Sequence, residues 1–99
     1  MKKVVVLKDA ATDVQKARDF YENLEPGVGK YFSDYILSEL QILSNTGGIH
    51  PLVFGYHRML SAKFPYAVYY RVKQYHIEVV AVLDLRRNPT SNFTELSDR

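Results

Sequence analysis

The most evident candidate functional residues are the basic side chains in the carboxyl-terminal part of the chain. Residues 54–89 contain six basic and two acidic residues, although the net charge of the whole chain is only +2. The basic residues are Arg58, Lys63, Arg71, Lys73, Arg86 and Arg87, and the acidic ones are Glu78 and Asp84. This bias predicts an acidic partner, either nucleic acid or an acidic protein, and it is equally an ordinary feature of a solvated surface. Asp84 with Arg86 and Arg87 forms either a functional charged cluster or a salt bridge at a strand end.

Histidine and cysteine offer no recognisable catalytic or metal-binding arrangement. His50, His57 and His76 are widely separated and show no metal-ligand spacing, so we predict surface or loop histidines and no metal site. The chain has no cysteine, which excludes disulfides, thiolate metal ligands and a cysteine nucleophile. No cofactor is expected.

Two apolar runs between residues 64 and 89 must position most of these charges. In both runs apolar side chains recur at every second residue, at Tyr66, Val68, Tyr70 and Val72 and then at Ile77, Val79, Ala81, Leu83 and Leu85. A period of two indicates β-strands that bury one face. Residues 74–76 interrupt the pattern only briefly, so the two strands are predicted to form an antiparallel hairpin.

The residues before this hairpin predict one more strand, two helices and then a further strand. Residues 4–7 are apolar and β-branched, which is typical of a strand. Apolar residues then follow helical spacing over 10–24 and 28–44, separated by Glu25-Pro26-Gly27, which breaks the helix. A weaker alternation over 53–61 indicates another strand, and the tail 90–99 is predicted to form a short helical turn or to be disordered.

This order predicts an α+β fold, β-α-α-β-β-β, with a helical hairpin packed on one face of a mainly antiparallel sheet. A chain of 99 residues is expected to form a single domain, 1–99. If Ile77, Val79, Ala81 and Leu83 face the helices, the other face has no cover. Tyr69, Val80 and Val82 would then form an exposed apolar patch rimmed by charge, which usually marks a binding site. The alternatives are that the helices cover the other face, or that the tail folds over this one.

Several segments resemble the RelE/ParE superfamily, the toxins of type II toxin–antitoxin modules, which include the plasmid stabilisation toxins. The order of the elements is similar, and so are three segments. These are residues 20–29 (FYENLEPGVG), Phe64-Pro65-Tyr66 leading into Tyr70-Arg71-Val72, and residues 81–89 (AVLDLRRNP). The resemblance extends from Val4 to about Pro89. It implies a growth-inhibiting toxin that a cognate antitoxin wraps and neutralises, within either a homodimer or a toxin–antitoxin hetero-oligomer.

The resemblance also implies one of two targets. RelE-like members cut messenger RNA on the ribosome, and ParE-like members poison DNA gyrase. RelE-like cleavage resembles a scheme with an arginine after the aromatic residue that opens the third strand, a basic residue after the fourth strand and an aromatic hydroxyl in the tail. Here the first position is Ala67 and the third is Phe93, neither of which can stabilise an oxyanion or donate a proton.

We therefore expect a ParE-like toxin that acts on gyrase by binding. The residues predicted to contact the target are Arg58, Arg71, Arg86 and Arg87, and those predicted to contact the antitoxin are Tyr69, Val80 and Val82. One alternative is a ribosome-dependent endoribonuclease that uses Arg58, Lys63, Arg86 and Arg87 as its cations. Another is an inactive toxin homologue that serves as a binding partner. A cytoplasmic protein is expected, because no leader or 18-residue apolar run is present.

Overall fold

The computed structural model describes all residues, 1–99, as an α+β structure. In chain order the elements are β1 (Lys3–Val6), α1 (Lys8–Leu24), α2 (Val28–Thr46), β2 (Leu52–Val53), β3 (Tyr56–Leu60), β4 (Tyr66–Val72), β5 (His76–Asp84) and α3 (Pro89–Ser97). The predicted fold class and element order are confirmed, except that the strand predicted over 53–61 is divided into β2 and β3. The tail, predicted as a short helical turn or disordered, forms α3. None of the helices combines the length and the apolar character needed to cross a membrane.

The helical hairpin of α1 and α2 follows from its apolar spacing and from the turn between the helices. The buried residues are Ala10, Val14 and Ala17 in α1 and Phe32, Ile36, Leu40 and Leu43 in α2. Gly27 has a φ of 91°, a conformation that glycine adopts at little cost. The Glu22 carboxylate accepts hydrogen bonds from the N–H groups of Gly27 (2.9 Å) and Gly29 (3.0 Å). Glu22 thus satisfies amides at the start of α2 that have no partner within the helix.

The five strands form one sheet in the order β1-β5-β4-β3-β2. β1 is parallel to β5 and all other neighbours are antiparallel, which confirms the predicted mainly antiparallel sheet. α1 and α2 cover one face, which we call the helix face. The main core lies there, where Tyr66, Val68 and Tyr70 of β4 pack among the buried residues of both helices.

A β-bulge interrupts the pairing of β4 with β5. Tyr70 pairs with Val79 and Tyr69 with Ala81, which leaves Val80 without a partner on β4. An extra residue in one strand shifts its alternation by one position, so the residues after it exchange faces.

The bulge overturns part of the predicted orientation of β5. Val82 packs in the main core on the helix face, together with Ile77 and Val79. Ala81 and Leu83 point to the opposite face, which we call the second face. Strict alternation had predicted the reverse for Val82, Ala81 and Leu83, and that prediction is wrong because Val80 adds one residue to the strand.

The second face is not open, which corrects a further prediction. The tail forms α3, whose first turn is capped by the Asn88 side chain accepting from the N–H of Thr90 (2.8 Å). Leu96 of α3 packs on a second apolar cluster that contains Tyr69. Tyr69 and Val80 are 1% and 3% exposed. The apolar patch predicted from the sequence is therefore buried.

A buried ion pair fastens the end of α3 to the bulge. The Asp13 carboxylate of α1 accepts hydrogen bonds from the Arg99 guanidinium at 2.7 and 2.8 Å and from the N–H of Val82 at 3.0 Å. Arg99 also donates to the carbonyl oxygen of Val80 (3.0 Å) and to Glu95 (2.9 Å). These side chains satisfy backbone groups of β5 that no neighbouring strand reaches.

Candidate functional site

A cleft of about 430 Å³ opens beside the edge of β5. β1 pairs with β5 only as far as Val79, so the later part of β5 has no strand on that side. α1 lines one side of the cleft, and the Arg86–Arg87 turn with α3 lines the other. The polar and aromatic lining side chains include Asp13, Lys16, Phe20, Tyr66, Asp84, Arg86, Arg87 and Glu95. Two of the predicted target-contact residues therefore lie together in the largest cleft described.

Arg86 is fixed in the cleft by Asp84 and Phe20. Its guanidinium donates two hydrogen bonds to the Asp84 carboxylate, at 3.0 and 2.9 Å, and its backbone N–H donates a third at 2.8 Å. The guanidinium carbon lies 6.0 Å from the centroid of the Phe20 ring, at the limit of a cation–π contact. The hydrogen bonds from Arg86 lower the pKa of Asp84. A planar cation is thus held in one orientation at the mouth of the cleft.

Arg87 is held from the opposite side by α3. Its guanidinium donates to Glu95 at 2.7 Å, and this contact is the main cause of the lowered pKa of Glu95. Glu95 in turn accepts from Arg99, so Arg87 is linked to the ion pair that fastens α3. Of the two alternatives for Asp84, Arg86 and Arg87, the structure has the salt bridge at the strand end, between Asp84 and Arg86, and Arg87 pairs with Glu95 instead.

Tyr66 supplies a hydroxyl group to the cleft, and no histidine lines it. Burial, and next the charge of Asp84, raise the pKa of Tyr66, so its hydroxyl stays protonated. The three histidines are engaged elsewhere: His50 with the Tyr70 hydroxyl (2.5 Å), His57 with the carbonyl oxygen of His50 (2.7 Å) and His76 with Glu78 (2.9 Å).

Arg71 and Lys63 lie away from the cleft. Arg71 is at the other end of β4, where it donates to Glu78 at 2.6 Å. Hydrogen bonds from His76 and then Arg71 lower the pKa of Glu78 to about 2. Lys63 donates to the Tyr31 hydroxyl of α2 at 3.0 Å, and this bond raises the pKa of Lys63.

Arg58 is the last of the four cations that the endoribonuclease alternative requires. It lies on the second face of β3, opposite Tyr69. The structure therefore brings together only Arg86 and Arg87 of the four cations considered for catalysis. Lys63 and Arg58 occupy two other regions.

The residues predicted to contact an antitoxin are buried. Tyr69, Val80 and Val82 are each no more than 3% exposed, so a partner cannot touch their side chains in this structure. Val82 lies in the core under α1 and α2, and Tyr69 lies in the cluster that Leu96 of α3 covers. The two positions at which the sequence departs from the RelE-like scheme also serve packing. Ala67 is fully buried in the second cluster, and the Phe93 ring meets that of Phe54 with a centroid distance of 5.1 Å.

Sequence reasoning missed the contribution of α1 and Tyr66 to the cleft. Asp13 and Lys16 have the spacing of solvent-facing helix residues, and Phe20 and Tyr66 read as apolar packing residues. Nothing in the sequence indicates that these residues converge on β5, because their convergence depends on where β1 ends.

The fold is also that of a known toxin–antitoxin component. No protein-family model matches the chain, and no curated protein sequence matches it. The chain is similar to a chain of the solved structure "Chromosomal ParDE TA system from P. aeruginosa", with a TM-score of 0.77 and 22% sequence identity. The match covers 87% of this chain and 98% of that chain. The chain thus has a ParE-like fold, as the resemblance to the RelE/ParE superfamily predicted.

Proposed function

We propose that this chain is the toxin of a type II toxin–antitoxin pair, that it acts by binding its target, and that a cognate antitoxin neutralises it. The similarity to a chain of a ParDE system over nearly that chain's whole length supports the toxin class. The cleft with Arg86 and Arg87 is the surface that we assign to the target.

We favour binding over catalysis because both arginines of the cleft are engaged in ion pairs. Cleavage of RNA needs cations free to stabilise a phosphorane and groups that exchange protons. Arg86 and Arg87 are each held by a carboxylate, and Ala67 and Phe93 occupy the positions at which RelE-like toxins have a catalytic arginine and an aromatic hydroxyl. Fixed, half-exposed arginines next to an aromatic ring are instead typical anchors of protein interfaces.

DNA gyrase is the target that we propose, because the resemblance associates the ParE-like branch with gyrase. Arg71 lies at the far end of β4 and Arg58 lies on the second face of β3, and neither lines the cleft. The proposed target contact is therefore restricted to Arg86 and Arg87. Expression of the chain alone should stop growth, and co-expression of the adjacent reading frame should restore it. Absence of both effects would exclude a toxin.

Two assays with purified protein separate the targets. We expect inhibition of gyrase supercoiling and no cleavage of messenger RNA on programmed ribosomes; cleavage would overturn the proposal. Arg86→Ala with Arg87→Ala should weaken gyrase inhibition at least about tenfold while the fold persists. The matched control is Arg18→Ala with Lys30→Ala, which removes two exposed cations from the helical hairpin and should leave inhibition unchanged. Equal losses in both pairs would show that only net charge matters.

A further inference from the structure

Arg58 is a cation without a partner. It lies on the second face of β3, half-buried, and its Nε–H group is shielded from solvent and donates no hydrogen bond within the chain. Its guanidinium makes no ion pair. A desolvated donor that lacks an acceptor is costly and uncommon in folded proteins.

The other arginines show how unusual this is. Four of them pair with carboxylates, namely Arg71, Arg86, Arg87 and Arg99. Arg18 also has no ion pair, but it is exposed on α1, where water satisfies it. Arg58 alone combines burial of its Nε atom with the absence of a partner.

The surroundings of Arg58 are apolar and partly exposed. Alternation along β3 places Tyr56 and Leu60 beside Arg58 on the second face, because Met59 packs in the main core. Leu60 is 53% exposed. At its Tyr56 end the row meets a groove of about 180 Å³, whose other aromatic lining residues are Phe54 and Phe93. Arg58 and Leu60 extend the surface beyond the groove along β3.

Phe54 gives this surface a fixed aromatic ring. It has a φ of 56°, a strained conformation for a bulky residue, and its ring contacts that of Phe93. Both rings remain partly exposed, at 42% and 49%.

We propose that this surface, formed by Arg58, Tyr56, Leu60, Phe54 and Phe93, is a docking site for a partner polypeptide that presents a carboxylate flanked by apolar side chains. The carboxylate meets the terminal nitrogens of the Arg58 guanidinium, since only the Nε atom is shielded, and the apolar side chains cover Leu60 and the two phenylalanine rings. Nucleic acid fits less well, because a polyanion requires several free cations along its path, whereas the neighbouring Arg71 is neutralised by Glu78. An arginine among aromatic side chains is the composition of a protein-binding hot spot.

The assignment rests on the proposed function for its partner, which is the antitoxin. The probe is the purified product of the adjacent reading frame, and its affinity for the chain is measured by calorimetry. Arg58→Met keeps the apolar stem and should weaken binding about 30-fold, and Arg58→Glu should weaken it further. Arg18→Glu, the matched control, should change the affinity less than about threefold. Circular dichroism verifies the fold of each variant, and Arg58→Met should melt no lower than the unmodified chain, because it removes an unsatisfied buried donor.

The outcomes separate the two hypotheses. If the unmodified chain does not bind the probe, the proposed function fails and this assignment fails with it. If it binds and Arg58→Met binds equally well, or if Arg18→Glu and Arg58→Glu lose affinity equally, only the docking site is refuted. Restoration of binding to Arg58→Glu by an acidic-to-arginine exchange in the probe would identify the paired carboxylate.

Discussion

Replacing Asp13 with alanine tests how α3 is held on the sheet. The carboxylate accepts three hydrogen bonds, two from Arg99 and one from the N–H of Val82. The side chains of Asp13 and Arg99 are 10% and 9% exposed. Asp13→Ala therefore leaves a buried cation and a buried backbone donor with fewer acceptors than they need.

The cost can be worked from these contacts. Removing one partner of a buried ion pair typically costs about 3–5 kcal/mol, and an unsatisfied backbone donor adds about 1 kcal/mol. Arg99 keeps its bonds to Glu95 and to the carbonyl oxygen of Val80, which offsets part of the loss. We expect the free energy of unfolding to fall by about 3 kcal/mol, or a fall in Tm of roughly 12–24 °C for a chain of this length.

Urea unfolding followed by far-UV circular dichroism measures this loss. A double-mutant cycle with Arg99→Ala should give a coupling energy of about 2 kcal/mol, because the double variant no longer leaves a buried charge alone. The control is Asp9→Ala, since Asp9 is 66% exposed and 4.0 Å from Arg99; it should cost less than about 0.5 kcal/mol. A loss below about 1 kcal/mol for Asp13→Ala, or a coupling energy near zero, would refute the role of this ion pair.

Two further predictions concern the turn after α1 and the histidine near Tyr70. Gly29→Ala should destabilise the chain by about 2 kcal/mol in urea unfolding, because a Cβ atom there would lie 2.6 Å from the carbonyl oxygen of Arg18; unchanged stability would show that α1 and α2 can separate slightly. Burial, and next the charge of His57, lower the pKa of His50, so the unfolded chain binds a proton more readily and stability should fall as the pH falls through about 6.5. His50→Asn keeps an acceptor for the Tyr70 hydroxyl and should lose less stability between about pH 7.5 and about pH 5.5; equal losses in variant and unmodified chain would contradict the assignment to His50.

The fold could be predicted because its main signals are local. The spacing of buried residues in α1 and α2, the break at Glu25-Pro26-Gly27 and the alternation in β4 each depend on a few neighbouring residues. The face of each residue in β5 could not be predicted, because residues 79–83 are all apolar and both faces are buried. Because no polar residue marks the solvent side, the apolar pattern of residues 79–83 gives no indication of a bulge at Val80.

The start of α3 is indicated in the sequence more strongly than the predicted short turn implied. Asn88 before Pro89 is a typical start of a helix, with a capping side chain followed by proline at the first helical position. Phe93 and Leu96, three residues apart, supply its apolar side. The docking of α3 could not be predicted in the same way, because it depends on the contact between Asp13 and Arg99, which lie 86 residues apart in the sequence.

The packing of α3 bears directly on the choice between the two modes of action. Position 67, at which the RelE-like scheme has an arginine, is fully buried in the cluster that Leu96 covers. A guanidinium there would need α3 to move or would be buried without a partner, which is strongly unfavourable. Alanine at position 67 therefore allows α3 to pack on the sheet, whereas an arginine at this position would not. The same helix supplies Glu95, which holds Arg87, so the element that closes the second face also fixes one of the two arginines in the cleft. This coupling favours a rigid binding surface over a catalytic one, and the ribosome assay is the measurement that would reverse the preference.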